Sequence, residues 1–280
     1  GSSHWGDEWV VGYAITNAGS LQNSGFEFIA TWKDNVGKFN YSASINGATL
    51  KNEVLALGND NSDIVTGSYH RTSVGHPVGA IYGYVQDGIF QNQSEIDSYY
   101  PASWISRPGD IRFKDLNGDE KITSADRDFI GSTIPTFTYG ANLYASYAGI
   151  DVSIDFNGVY GNQIINTKKL PTYAQFNYYT TSLNRWHGEG TSNFEPILDT
   201  SRGHNFVPST NLLESGAYFR IRSIQLGYNL PLVIIKTLGL SKFRIFANAQ
   251  NPLTIKQNSG YTPEIGGSIL SGGIDNGGTY

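Results

Sequence analysis

The sequence predicts an all-β chain built from long antiparallel strands. Three observations predict it. Apolar and polar residues alternate with period two along six stretches, the pattern of strands with two different faces. Those stretches run about 9–13 residues, beyond the ~5–6 of ordinary globular strands and close to the ~9–11 that cross a bilayer. The connections between them alternate short and long, as they do in outer-membrane barrels.

Residues 26–32 open the series, with Phe26, Phe28, Ala30 and Trp32 on one face. Lys33 to Lys38 make a tight turn. Residues 39–49 set Phe39, Tyr41, Ala43 and Ile45 against Asn40, Ser42, Ser44 and Asn46. The first long connection, 51–136, follows. Residues 137–147 then align Phe137, Tyr139, Ala141, Leu143, Ala145 and Tyr147 opposite Thr138, Asn142 and Ser146. Ala148 to Asp151 turn the chain back. Residues 152–160 alternate Val152, Ile154, Phe156 and Tyr160 with Ser153, Asp155 and Asn157. After the second long segment, 161–216, the stretch 218–230 alternates with a phase slip between Ile221 and Ile224. That slip predicts a bulge near Ser223. Leu230 to Ser241 form a link with room for one helical turn. Residues 242–250 place Phe243, Ile245, Ala247 and Ala249 opposite Arg244, Asn248 and Gln250, and 252–280 is the third long segment.

A soluble sandwich with one wet face is the common home of alternating strands. Long strands, alternating loop lengths and an uncharged polar second face favour a transmembrane β-barrel portion instead, apolar outside and polar in the lumen. The short turns belong on the periplasmic side and the long segments outside. Six strands fall short of the about eight that close the smallest bacterial barrels, so the expectation is part of a barrel.

Composition removes other classes. Charged residues are 15% of the 280, against about 25% in ordinary soluble domains. Aromatics reach 13%, which argues against wholesale disorder. No apolar run is long enough for a transmembrane helix. A net charge of −5 excludes nucleic-acid binding through a basic face. With no Cys there are no disulfides, thiolate zinc sites or Cys nucleophiles. Gly1-Ser2-Ser3-His4 lacks the basic and apolar regions of a signal peptide. The five His form no zinc-hydrolase motif, and His76, before Pro77, reads as structural. No Gly-x-Ser-x-Gly or phosphate loop occurs, so an enzyme is not expected.

The motifs then fall into a known order. Ala18 to Glu27 read Ala-Gly-Ser-Leu-Gln-Asn-Ser-Gly-Phe-Glu. Val74-Gly75-His76-Pro77-Val78-Gly79 leads to Tyr82-Gly83-Tyr84 and Asp87-Gly88-Ile89-Phe90. Gly109 to Asp119 read Gly-Asp-Ile-Arg-Phe-Lys-Asp-Leu-Asn-Gly-Asp, and Ile130-Gly131, Pro135-Thr136-Phe137 and Tyr139-Gly140 come soon after. Phe156-Asn157-Gly158-Val159-Tyr160-Gly161-Asn162, Tyr218-Phe219-Arg220-Ile221-Arg222, Gln225-Leu226-Gly227-Tyr228 and Asn248-Ala249-Gln250-Asn251 complete the set. Over 17–279 the chain resembles the C-terminal part of the barrel in the SusC/RagA family of TonB-dependent outer-membrane transporters. The resemblance implies a plugged barrel of ~22 strands in the cell outer membrane. It implies a SusD-like surface lipoprotein as lid, TonB as the source of power, and an oligosaccharide or peptide as cargo, in Bacteroidetes. The family's TonB box, plug and final aromatic-ended strand are not found in residues 1–280, which read as one barrel part with an extracellular excursion at 51–136.

One loop carries metal-type spacing. Asp115, Asn117, Asp119, Lys121, Thr123 and Asp126 stand at positions 1, 3, 5, 7, 9 and 12 of a calcium loop. Side-chain oxygens at alternate positions wrap a hard cation. Lys121 contributes its carbonyl, Asp126 closes the shell, and Ile122 anchors the loop. Glu120 departs from the pattern, which wants Gly at position 6 for its sharp turn. The competing reading is a polar loop held by Asx turns. Long segments with few charges around the rings also carry Tyr99, Tyr100, Trp104, Tyr173, Phe176, Tyr178, Tyr179 and Trp186. These rings suit ligand or lid contact, or the packing of the loops themselves. A second function fits the same features: a soluble all-β glycan-binding module with a calcium-stabilised loop.

Overall fold

A computed structural model describes residues 19–58, 60–169, 178, 180–237 and 239–275. Six strands make one antiparallel sheet: β1 (Glu27–Val36), β2 (Phe39–Thr49), β3 (Phe137–Tyr147), β4 (Ile150–Tyr160), β5 (Tyr218–Asn229) and β6 (Arg244–Lys256). Each pairs with the next along the chain, giving an up-and-down wall with β1 and β6 at its edges. The antiparallel order puts the short connections at one end and the long ones at the other.

Two of the short connections are tighter than the sequence predicts, because pairing draws Lys33–Val36 and Ile150–Asp151 into the strands. Gly37 has φ +61° at the first of two turn residues, as a type II′ hairpin requires. Ala148 and Gly149 both have positive φ, +49° and +88°, the type I′ pattern that matches the strands' right-handed twist. The third link holds the helix Leu232–Thr237, the expected helical turn.

Register joins the alternating faces into two continuous surfaces. Across-strand partners share a face. Trp32, Ala43, Leu143, Ile154, Ile224 and Ala249 therefore form one row, and Thr31, Ser44, Asn142, Asp155, Ser223 and Gln250 form the next on the opposite face. The apolar face has an aliphatic middle between two aromatic belts. Phe28, Phe137, Tyr139, Tyr160 and Phe219 lie toward the long-loop end, and Phe39, Tyr41, Tyr147 and Tyr228 toward the turns. Phe137 and Tyr147 end one strand; at about 3.4 Å per residue and about 45° tilt it spans about 24 Å, the height of a barrel's apolar band. Gly47 and Gly158 let the rings lie flat: a Cβ at Gly47 would sit 2.5 Å from the Phe28 ring, and one at Gly158 2.3 Å from Tyr139.

The predicted bulge is present and falls on Arg222. Pairing of β4 with β5 jumps from Asp155–Ser223 to Phe156–Ile221, leaving Arg222 as the extra residue. Opposite it β6 is also kinked, with Asn251 at φ +50°. The last strand runs past the expected end at 250 to Lys256. Its alternation breaks at Asn251–Pro252, and an edge strand tolerates a Pro that cannot donate to the ladder.

The packed core lies elsewhere. Apart from Tyr218, the buried apolar side chains of the described residues belong to the connections. The excursion 51–136 is thus no plain loop. Lys51–Leu57 pairs with Gly19–Ser24, and a four-stranded sheet orders Arg127–Gly131, Ala80–Tyr84, His70–Thr72 and Ile64–Thr66. Gln86–Ile89 pairs with Ile111–Phe113. Gln163–Asn166 sits between Leu213–Ser215 and Ile274–Asp275. One cluster buries Tyr84, Ile89, Ile111, Phe113 and Ile122; another buries Ile81, Ile165 and Leu212. Each fully buried side chain of this size contributes about 1.5–3 kcal/mol. These strands escape a period-two reading because most are runs of five residues or fewer, which show too little alternation.

Candidate functional site

The Asp115–Asp126 loop is built by its own acceptors. Asp115 takes the N–H of Gly118 on Oδ1 (2.8 Å) and of Glu120 on Oδ2 (3.0 Å). Asn117 Oδ1 accepts from the Asp119 N–H and Asp119 Oδ1 from the Lys121 N–H, both at 3.0 Å. Asp126 is wholly buried and closes the loop, accepting from Leu116 N–H (3.1 Å) and Thr123 N–H (2.7 Å). Burial pushes the Asp115 carboxyl up, but N–H donors from Gly118 and Glu120 outweigh it and hold its pKa below the usual carboxylate value. Glu120 adopts φ +62°, the left-handed turn that position 6 requires, without being Gly. Ile122 is buried against Phe113 and Tyr84, the anchor its position predicts. Among the described residues no three His, Cys, Asp or Glu side chains converge as a metal-holding group. The oxygens here point first at backbone donors.

The aromatic candidates divide. Tyr99 donates its hydroxyl to Phe113 O (2.9 Å), Trp104 packs edge-on against Tyr84 and Phe113, and Trp186 Nε1 donates to Gln91 Oε1 (3.2 Å). All three rings pack within the loop layer. Tyr100 and Tyr178 keep exposed rings, 42% and 45%. Tyr173, Phe176 and Tyr179 lie outside the described residues.

Beneath Trp104 lies a network that sequence reasoning missed. Asp110 is fully buried. Its Oδ1 accepts from Arg202 Nη1 (3.0 Å) and Asn205 Nδ2 (2.9 Å), and its Oδ2 accepts from the Arg107 N–H (2.7 Å). His204 Nε2 lies 2.9 Å from Oδ2, a close contact without hydrogen-bond alignment, and its ring stacks on Trp104. Burial alone would raise the Asp110 pKa; His204, Asn205 and Arg202 outweigh it and lower it. The network ties segment 161–216 to the strand Ile111–Phe113.

On the polar face of the wall the β5 bulge opens a concavity of about 600 Å³, lined by Asn46, Asn142, Asp155, Asn157, Arg222 and Gln250 among others. Asp155 accepts from Asn142 Nδ2 and Ser223 Oγ, both at 2.6 Å. Asn157 Oδ1 is buried without a partner. Amides that both donate and accept suit ligands with alternating donors and acceptors, such as peptide backbones and sugar hydroxyls. The hint in the sequence was the phase slip itself, since bulges re-aim side chains.

No family model matches the chain. Among curated proteins it is 28% identical over 265 residues to TonB-dependent receptor P3 of Formosa agariphila, covering 91% of this chain and 26% of that one. TonB-dependent receptor P39 of the same organism is 29% identical over 303 residues, covering 92% and 29%. Among solved structures, that of the RagAB peptide transporter superposes with a TM-score of 0.73 at 20% identity, covering 92% of this chain and 28% of that one. The chain is similar to TonB-dependent receptors. Its all-β fold is that of the RagAB neighbours, and the matched proteins carry the names of receptors and transporters. The chain spans about a quarter of the length of the curated relatives it matches.

Proposed function

We propose that this chain supplies barrel wall and outer loops to a TonB-dependent outer-membrane importer of peptides or glycans, working with a SusD-like lipoprotein. The unpartnered apolar face of the six-stranded wall carries the reading. Phe28, Trp32, Ile45, Leu226, Ile245 and Ile255 are 50–64% exposed on it. A soluble domain does not leave six strands of apolar surface in water, so the reading as a soluble glycan-binding module loses its basis. The relatives' names supply the TonB dependence, and the peptide cargo of RagAB supports the substrate class. The purified protein is expected to stay monodisperse in detergent and to aggregate on its removal. A compact, detergent-free monomer by sedimentation would overturn the reading.

In this reading the turns Gly37–Lys38 and Ala148–Gly149 and the link holding Leu232–Thr237 are periplasmic, and 51–136, 161–216 and 257–280 are outside. A Cys at Asp60 should be labelled by an impermeant maleimide on intact cells, and one at Asn35 only after lysis. Labelling of Asn35→Cys on intact cells reverses the orientation.

The loop Asp115–Asp126 is proposed to take one structural Ca²⁺ through Asp115, Asn117, Asp119, the Lys121 carbonyl and Asp126. Ligand spacing and the left-handed backbone at Glu120 support this. The N–H bonds do not preclude it, because a carboxylate offers about four lone-pair sites. Affinity in the extracellular range, ~10⁻⁴–10⁻³ M, is expected. Asp115→Ala should abolish the calorimetric event. Glu120→Gly should tighten it by relieving a strain of about 1–3 kcal/mol. Heats identical to buffer in millimolar calcium would remove the ion from the account.

A further inference from the structure

We propose that Arg71 and Arg127 form a subsite for an organic oxyanion in the outer loop layer. The two guanidiniums share one tyrosine: Arg71 Cζ lies 3.8 Å and Arg127 Cζ 5.0 Å from the Tyr82 ring centroid. Both arginines line a cavity of about 290 Å³, with Val65, Ser68, Tyr82 and Pro208 among its walls. In a chain this poor in charge, two cations on one small cavity need an account.

Their neighbours neutralise them only in part: Arg71 has one ion pair and Arg127 has none among the described residues. Arg127 Nη2 donates weakly to the carbonyls of Ser68 and Tyr82, both at 3.3 Å. Arg71 reaches one carboxylate, Asp63, at 3.4 Å. That carboxylate also accepts a short hydrogen bond from Ser73 Oγ. The acids flanking Arg127 are engaged elsewhere. Asp126 holds Leu116 N–H and Thr123 N–H, and Asp128 accepts the Phe129 N–H. The Nε atoms of both arginines are buried without a partner. Unpaired donors of a charged group are costly, and partial burial leaves their field less screened than in water. His70 lines the cavity but is spoken for: its Nε2 meets Gly272 O at 2.9 Å, and burial holds its pKa below the usual value.

The chemistry of the ligand follows. Guanidinium forks match the two oxygens of a carboxylate and also hold sulfate and phosphate esters. The cavity is at the bottom of the ~300–1,000 Å³ range of whole-ligand sites. It admits one anionic group and the atoms next to it, so the rest of the ligand extends outward. Neutral sugars and peptide amides lack the charge the site selects. The inference concerns binding and does not depend on import.

Calorimetry on the purified protein in low salt tests it, with glucuronate, glucose 6-sulfate, glucose 6-phosphate and glucose as probes. The anionic sugars should bind at least tenfold more tightly than glucose, and the order among them separates carboxylate from sulfate and phosphate. Arg127→Gln should weaken the best anion at least tenfold. Arg71→Gln should weaken it less, because Asp63 already shares that charge. Arg127→Lys should recover part of the loss. Equal binding of glucose, or unchanged anion binding in a folded Arg71→Gln/Arg127→Gln protein, overturns the proposal. Should that variant fail to fold, the wild-type protein decides. The best anion should protect Arg71 and Arg127 from phenylglyoxal, read by peptide mass spectrometry, and absence of protection overturns it equally.

Discussion

Arg in place of Leu143 is expected to destabilise the protein in a phospholipid bilayer by about 2–4 kcal/mol, while Arg in place of Asn142 next to it should cost much less. Both sites lie mid-strand in β3, one residue apart on opposite faces, so propensity and depth are matched. Leu143 pairs with Ala43 and Ile154 on the apolar face, and Asn142 with Ser44 and Asp155 on the polar one. A guanidinium at 143 would sit in hydrocarbon. At 142 it would meet Asp155, whose carboxylate already accepts from Asn142. Chemical unfolding from phosphatidylcholine vesicles reads the difference. Equal costs at the two sites would mean that the apolar face does not meet lipid.

Asp110→Ala is expected to cost about 3–5 kcal/mol in the loop layer, the range for removing one partner of a buried ion pair. The loss exceeds that of one hydrogen bond because Arg202, only 14% exposed, would keep its charge with Asp199 alone. Asn205 Nδ2 and the Arg107 N–H would lose acceptors in the same step. Hydrogen exchange should show faster amides at Arg107 and Ile111, with those of β3 and β4 unchanged. Protection as in the wild type would show that the network holds nothing. The same carboxyl makes the layer acid-sensitive. Its folded pKa lies below the unfolded value, so its contribution is fully present above about pH 3.9 and disappears as pH falls through the folded pKa. Loop melting should therefore shift in strong acid and stay flat from pH 5 to 8 as far as Asp110 is concerned.

The wall was legible from the residues alone. Alternation is a local property with period two, and register in a two-faced sheet is set by keeping like faces together. The six strands, their apolar and polar faces and the bulge between Ile221 and Ile224 all follow from it. So does the self-closing character of Asp115–Asp126, since Asx turns need only near neighbours. The end of β6 was missed because Asn251 and Pro252 interrupt the pattern that marks a strand. Other features required the tertiary structure. Asp110 meets Arg202 and Asn205 across 92 and 95 residues. Arg71 and Arg127 meet on Tyr82 only because the strand Ala80–Tyr84 lies between the strands that carry them. Such contacts depend on which short strands pair and how deeply the loops bury, and no spacing along the chain records either. The aromatic residues divided for the same reason: composition marks a ring as available for stacking, and only packing decides that Trp104 is spent on Tyr84 and Phe113.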